Sequence, residues 1–124
     1  MADNKATKEE VDDFLKRFKE RTKWSVPRIF YIDDKPENIE TLSSLDITGK
    51  DRDEYILNLQ VEDYYQGPDT NHIPNQGDVW MFGKTIKGKE VYIKIFINTL
   101  MNQSNICISF HIAKSKIYYP FKQK

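Results

Sequence analysis

The chain holds a single cysteine, Cys107, which excludes an internal disulfide and any metal framework built on cysteines. No apolar run approaches the length needed to cross a membrane. The polar start, Met1–Thr7, leads into no apolar stretch of the kind a secretory leader requires. An overall charge of one sign is missing too: 19 Lys and Arg stand against 19 Asp and Glu, so the chain as a whole is not a basic polyanion binder. Internal repeats and long linkers are absent. These absences leave the expectation of one globular domain over residues 1–124, with no membrane association, in a reducing cytoplasm. At 39% hydrophobic and 13% aromatic residues, it has enough apolar material to build a core without staples.

What is present is polarised. Residues 1–68 carry 11 Lys/Arg against 16 Asp/Glu, a balance of −5, whereas residues 69–124 carry 8 Lys against 3 Asp/Glu, a balance of +5. The acidic half reads as helical. Thr7 before Lys8-Glu9-Glu10 makes an N-cap followed by an acidic first turn. Val11, Phe14, Leu15 and Phe18 fall at i, i+3, i+4 and i+7, which predicts a helix from about Lys8 to Thr22 packed on a sheet. Arg28–Ile32 reads as a short strand. A second helix is expected over Pro36–Leu45, capped by Asp34, with Ile39, Leu42 and Leu45 inward. Ile47–Lys50 reads as a turn, and a third helix runs from about Asp51 to Leu59 on Tyr55, Ile56 and Leu59. Val61–Pro68 is a short segment closed by Gly67-Pro68. The polar stretch Asp69–Gly77, which contains His72, reads as a mobile loop.

The basic half reads as strands. In Glu90–Ile97, Val91, Ile93, Ile95 and Ile97 point one way and Tyr92, Lys94 and Phe96 the other, the period of a half-buried strand. Lys87-Gly88 suits a two-residue hairpin turn after a strand over Asp78–Ile86. That turn pairs Phe82 with Ile93, Trp80 with Ile95, Gly83 with Tyr92 and Met81 with Lys94, so Trp80, Phe82, Ile93 and Ile95 share one apolar face. The last strand, Ile106–Ile112, puts Ile106, Ile108, Phe110 and Ile112 on that same face. The fold expected is α+β: a C-terminal three-stranded antiparallel meander packed by N-terminal helices, with the apolar tail Tyr118–Lys122 docked against it.

The opposite face then gathers Tyr92, Lys94, Ser109 and His111, with Cys107 beside them and Gly83 leaving space opposite Tyr92. An ammonium stabilises the charge that develops on a phosphodiester in displacement, and an imidazole moves protons near neutral pH. No carboxylate cluster of the kind a magnesium-dependent nuclease needs falls on this face. By pattern alone, the same residues also describe a solvated sheet face with ordinary polar side chains. Cys107 reads as a small hydrophobe rather than a nucleophile. Tyr64 and Tyr65 border the polar loop and are the better candidates for stacking on a base, while Trp80 belongs to the core by parity.

Three segments carry a family resemblance: Val61-Glu62-Asp63-Tyr64-Tyr65, Val91-Tyr92-Ile93-Lys94-Ile95 and Cys107-Ile108-Ser109-Phe110-His111. In their order and spacing, loosely from about Val11 to Lys122, the chain resembles the MqsR group of bacterial toxins within the RelE/ParE toxin–antitoxin superfamily. The resemblance implies a RelE/ParE-like α/β fold and an endoribonuclease that cuts messenger RNA without a metal or other cofactor. In that chemistry the ribose 2′-hydroxyl attacks the adjacent phosphate. It further implies a cognate antitoxin protein as partner. Tyr92 matches the group's functional tyrosine, and His111 stands where these toxins have a catalytic lysine. Gln66 stands where an active-site lysine is expected, which leaves Lys84 or Lys94 to supply the charge.

The residues expected to carry the chemistry are therefore His111, Tyr92 and Lys94, with Lys84, Gln66, Ser109 and Tyr65 on the substrate. The competing expectation is a non-catalytic toxin, or an inactive domain of the same superfamily, that acts by gripping a protein or nucleic acid.

Overall fold

The computed structural model describes residues 5–32, 35–70, 77–100 and 103–122; the expected cap Asp34 and the loop residue His72 lie outside them. Helix α1 (Lys8–Thr22) opens with a reciprocal cap: Thr7 Oγ1 accepts from the Glu10 amide at 3.1 Å, and the Glu10 carboxylate accepts from the Thr7 amide at 2.9 Å. Its stripe of Val11, Phe14, Leu15 and Phe18 is buried. The Phe14 ring stacks on Trp80 with centroids 4.6 Å apart, joining helix to sheet through aromatic surface.

There follow β1 (Ile29–Tyr31), α2 (Pro36–Leu45), α3 (Gly49–Leu57), a 3-10 turn at Val61–Asp63, β2 (Tyr64–Asp69), β3 (Val79–Ile86), β4 (Lys89–Phe96) and β5 (Asn105–Ile112). The strands form one sheet in the order β1-β5-β4-β3-β2, with β1 parallel to β5 and the other neighbours antiparallel. The architecture is α+β with a five-stranded mixed sheet, wider than the three antiparallel strands expected. The segment at Val61–Pro68 supplies one added edge, β2, whose irregular pairing with β3 turns on Gly67. There φ is +113°, and a Cβ would lie 2.9 Å from the Val79 carbonyl. Among the described residues no helix is long and apolar enough to cross a membrane.

The β3–β4 hairpin has the expected register, with Phe82 opposite Ile93 and Gly83 opposite Tyr92. Its turn residues Lys87 and Gly88 both have positive φ, 50° and 82°, the geometry that matches strand twist in a two-residue loop. The β4–β5 pair departs from expectation. Lys94 faces Ser109, but Ile95 faces Cys107, so β5 carries one extra residue at Ile108. A bulge of one residue exchanges the faces beyond it. Cys107 therefore points into the main core and is 2% exposed, while Ile106 and Ile108 pack on the other face with Val79, Met81 and Phe96. The strict alternation expected for this strand fails at that point.

Two helices also differ from expectation. In α2 Leu45 is buried and Leu42 packs against the core as expected, but Asn38 and Thr41 are buried beside them and Ile39 is 53% exposed. The reason is what α2 packs against. Beyond its short pairing with β1, strand β5 has an open edge, and α2 covers it with polar groups. Asn38 Nδ2 donates to the carbonyls of Ile32 and Ile108, Asn38 Oδ1 accepts from the Phe110 amide, and Thr41 Oγ1 accepts from the Ile112 amide. Side chains here replace a sixth strand and satisfy backbone groups that burial would otherwise leave unpaired. Helix α3 starts earlier than expected because Thr48 and Asp51 form a second reciprocal cap; it buries Arg52 and Ile56.

Candidate functional site

The register of β4 and β5 sets Tyr92 directly opposite His111, with ring centroids 5.4 Å apart at 35°. Tyr65, from β2, meets the other side of Tyr92 edge-on at 6.4 Å and 75°. The chain leaving β5 then turns back across this face. Together, Tyr65, Tyr92, His111, Lys114, Lys116 and Ile117 line a hollow of about 170 Å³.

The returning segment is pinned from below. The Glu90 carboxylate accepts from the Ile117 amide at 3.1 Å and from the Tyr119 hydroxyl at 2.9 Å. Gly83 makes this possible, since a Cβ there would lie 2.8 Å from Ile117 Cδ1 and would collide with the Tyr119 hydroxyl. The space expected beside Gly83 is thus filled by the chain's own tail. The segment continues to Phe121, which stacks on Tyr64 with centroids 5.4 Å apart.

His111 is set deep in the face, at 9% exposure. Its Nδ1 lies 3.0 Å from the Ile112 carbonyl; a carbonyl only accepts, so Nδ1 carries the proton of that contact. Nε2 is left facing the Glu37 carboxylate, 3.8 Å away. Glu37 also pairs with the Lys114 ammonium at 2.9 Å. The Lys114 hydrogen bond is the main cause that holds the Glu37 carboxyl below its ordinary range, with the charges of Lys114, His111 and Lys35 adding to it. The Tyr92 phenol is pushed up, chiefly by burial and then by Tyr65 and Asp69. It remains a neutral hydrogen-bond donor at physiological pH.

The expected site residues separate into two groups. Tyr92, His111 and Tyr65 meet in the hollow. Lys94 lies one same-face step along β4 from Tyr92, paired across the ladder with Met81 and Ser109; it makes no ion pair among the described residues. Ser109 is on the expected face but only 3% exposed, so a substrate cannot reach it. Lys84 is on the opposite face, since it pairs with Val91 of the main core, and its ammonium binds the Asp63 carboxylate at 3.2 Å. Gln66 lies outside the hollow and donates to Asp69 at 3.3 Å. Tyr64 is no stacking platform: it is fully buried, accepting from the Ala6 amide and donating to the Gly67 carbonyl.

Glu37, Lys114 and Lys116 were not expected at the site. The two lysines carried a usable signal, because they follow His111 within five residues. Glu37 carried none, since its position depends on the polar docking of α2. Among the described residues no group of three or more His, Cys, Asp or Glu side chains is arranged to hold a metal ion. Comparison of the chain with protein-family models, with curated proteins and with solved structures finds no match.

Proposed function

We propose that the chain is a RelE/ParE-like toxin of the MqsR kind, an endoribonuclease that cuts messenger RNA by 2′-hydroxyl attack and is held in check by an antitoxin. The observation that supports this most is the facing pair Tyr92 and His111 in a hollow rimmed by Lys114 and Lys116. A single-stranded RNA can lay a base against the Tyr65 and Tyr92 rings while its phosphates meet the rim ammoniums, since RNA readers stack unpaired bases on aromatic side chains. Neutral Tyr92 donates to a phosphate oxygen. His111 supplies proton transfer, a contribution of typically about 10²–10⁴-fold. Lys94, Lys114 and Lys116 stabilise the charge that builds on phosphorus.

RNA incubated with the purified protein, with and without ribosomes, tests the reading. Cleavage should yield 2′,3′-cyclic phosphate and 5′-hydroxyl ends. His111→Ala and Tyr92→Phe should each reduce the rate by about 10²-fold or more while leaving the fold intact. RNA left whole by a folded protein under both conditions refutes catalysis.

A second reading is favoured by one group of observations: Ser109 is buried, Lys84 is engaged with Asp63, and Gln66 is neutral and outside the hollow. On that reading the protein is a non-catalytic toxin that binds a protein or nucleic acid through the same face. Growth arrest on expression, with messenger RNA intact, supports it.

A further inference from the structure

The carboxylate beside His111 is the least expected neighbour of the hollow. Glu37 sits in the first turn of α2, and α2 is keyed to β5 by hydrogen bonds rather than by an apolar stripe. Asn38 and Thr41 together bond three backbone groups of β5, so the helix cannot rotate without breaking them. Glu37, adjacent to Asn38, is thereby aimed at the His111 ring.

The charges around that ring come from each element packed on it. From α2 comes Glu37, whose carboxylate also feels the charge of Lys35 just before the helix. From β4 come Tyr92 and, one step along, Lys94. Lys114 and Lys116 approach from the segment after β5. Tyr65 and Asp69 of β2 act on the far side of Tyr92. The carboxylate that faces Nε2 is Glu37, with one oxygen 3.8 Å away and the other tied to Lys114 at 2.9 Å.

We infer that Glu37 is a positioning residue for His111: it holds the ring from the Nε2 side, at the edge of the hollow, and stabilises a proton held there, while Lys114 fixes the carboxylate. This rests on the RNA-cleavage reading for its purpose. In that reaction Nε2 takes the 2′-hydroxyl proton as the O2′–P bond forms. The P–O5′ bond breaks with its electron pair on O5′, which takes a proton from water. The proton on Nε2 then returns to solvent. Glu37 touches none of the reacting atoms and acts through the imidazole. A carboxylate beside an imidazole favours its cationic form, which is the form that holds the transferred proton.

Side-chain NMR of the two histidines tests this without relying on catalysis, with His111 assigned by the loss of its signals in His111→Ala and His72 as an internal reference. In Glu37→Gln the pH at which the His111 signals titrate should fall by about 0.5–1 unit, the effect of removing one negative charge at this distance when water screens the pair fully. Lys114→Gln should move it in the opposite direction, and Glu37→Asp should restore part of the loss. In cleavage assays Glu37→Gln should lower kcat by about 10–100-fold with little change in KM, and its pH–rate profile should move with the NMR titration. A His111 titration that shifts by less than about 0.2 unit in Glu37→Gln, measured on protein with native amide spectra, overturns the inference whatever the activity. Should Glu37→Gln not fold, absence of a shift in Lys114→Gln overturns it equally. If the titration shifts as stated but the unaltered protein cuts no RNA, the positioning role stands and the ribonuclease reading falls.

Discussion

Gly83→Ala is the substitution whose cost can be worked most directly from the structure. The new methyl group would lie 2.8 Å from Ile117 Cδ1 and would overlap the Tyr119 hydroxyl. The Glu90 carboxylate holds the Tyr119 hydroxyl and the Ile117 amide in place, and burial confines the Ile117 side chain, which is 4% exposed. The strand gains a little from replacing glycine, about 0.5 kcal/mol. Against this stands the displaced tail. Burial of an isoleucine side chain contributes about 1.5–3 kcal/mol, and a hydrogen bond to a charged group about 1.5–3 kcal/mol, part of which water recovers when the tail lifts. A net loss of about 2–3 kcal/mol follows, which for a chain of this size lowers Tm by roughly 6–12 °C. Urea unfolding and calorimetry measure the loss, and trypsin should cut after Lys114 or Lys116 sooner than in the unaltered protein. Because Ile117 takes part in both effects, Gly83→Ala combined with Ile117→Ala should cost less than the sum of the two alone. A loss below about 0.5 kcal/mol with unchanged trypsin sensitivity would refute the tail's docking over Gly83, since surface changes without such a contact stay in that range.

Other consequences can be checked as directly. Asn38→Ala strips the partners from two carbonyls and one amide and should destabilise by about 2–4 kcal/mol in denaturant titration, more than Ile39→Ala on the exposed side of the same helix. The phenols of Tyr31, Tyr92 and Tyr119 are all pushed above their ordinary value of 10.0, chiefly by burial. The native state therefore keeps protons that the unfolded chain releases. That stability is fully present below about pH 10 and is lost as pH rises through the native titrations; an unfolding free energy that stays flat from pH 9 to 11 would contradict the assignment. If the endoribonuclease reading holds, a chelator such as EDTA in excess over trace metals should leave the cleavage rate within about twofold, because ammonium groups rather than a metal ion are assigned to the phosphate charge.

What could be read from the sequence was what depends on local signals. The cap and stripe of α1 are complete within its own residues, and the Lys87-Gly88 turn determines the β3–β4 register by geometry alone. Parity across two strands was enough to bring Tyr92 and His111 together. Parity also had the information to reject Lys84, which shares its face with Trp80 and Phe82. The bulge at Ile108 was not legible, because Ile106, Ile108, Phe110 and Ile112 continue an unbroken alternation while the backbone does not. In α2 Leu42 and Leu45 were legible as inward, whereas Ile39 faces outward and Asn38 and Thr41 take the buried positions. An apolar-stripe rule assumes a helix packs on apolar surface, but α2 packs on a strand edge and needs Asn38 and Thr41 there. Glu37 was lost with it. The tail over Gly83 escaped because an absent side chain signals room without naming its occupant.

The parallel pairing of β1 with β5 has a consequence for how the chain is made. Asn105 donates to the Phe18 carbonyl, 87 residues earlier in the chain, and β5 is the strand against which both β1 and α2 are arranged. During vectorial synthesis, α1, β1 and α2 leave the ribosome long before the strand that receives them. Their apolar and polar docking groups must wait in solution, because contacts this distant in sequence form only after the loop-closure cost has been met. Folding is thus timed by the emergence of β5, and the nascent chain has a long interval in which chaperones can bind the exposed Phe14–Phe18 stripe.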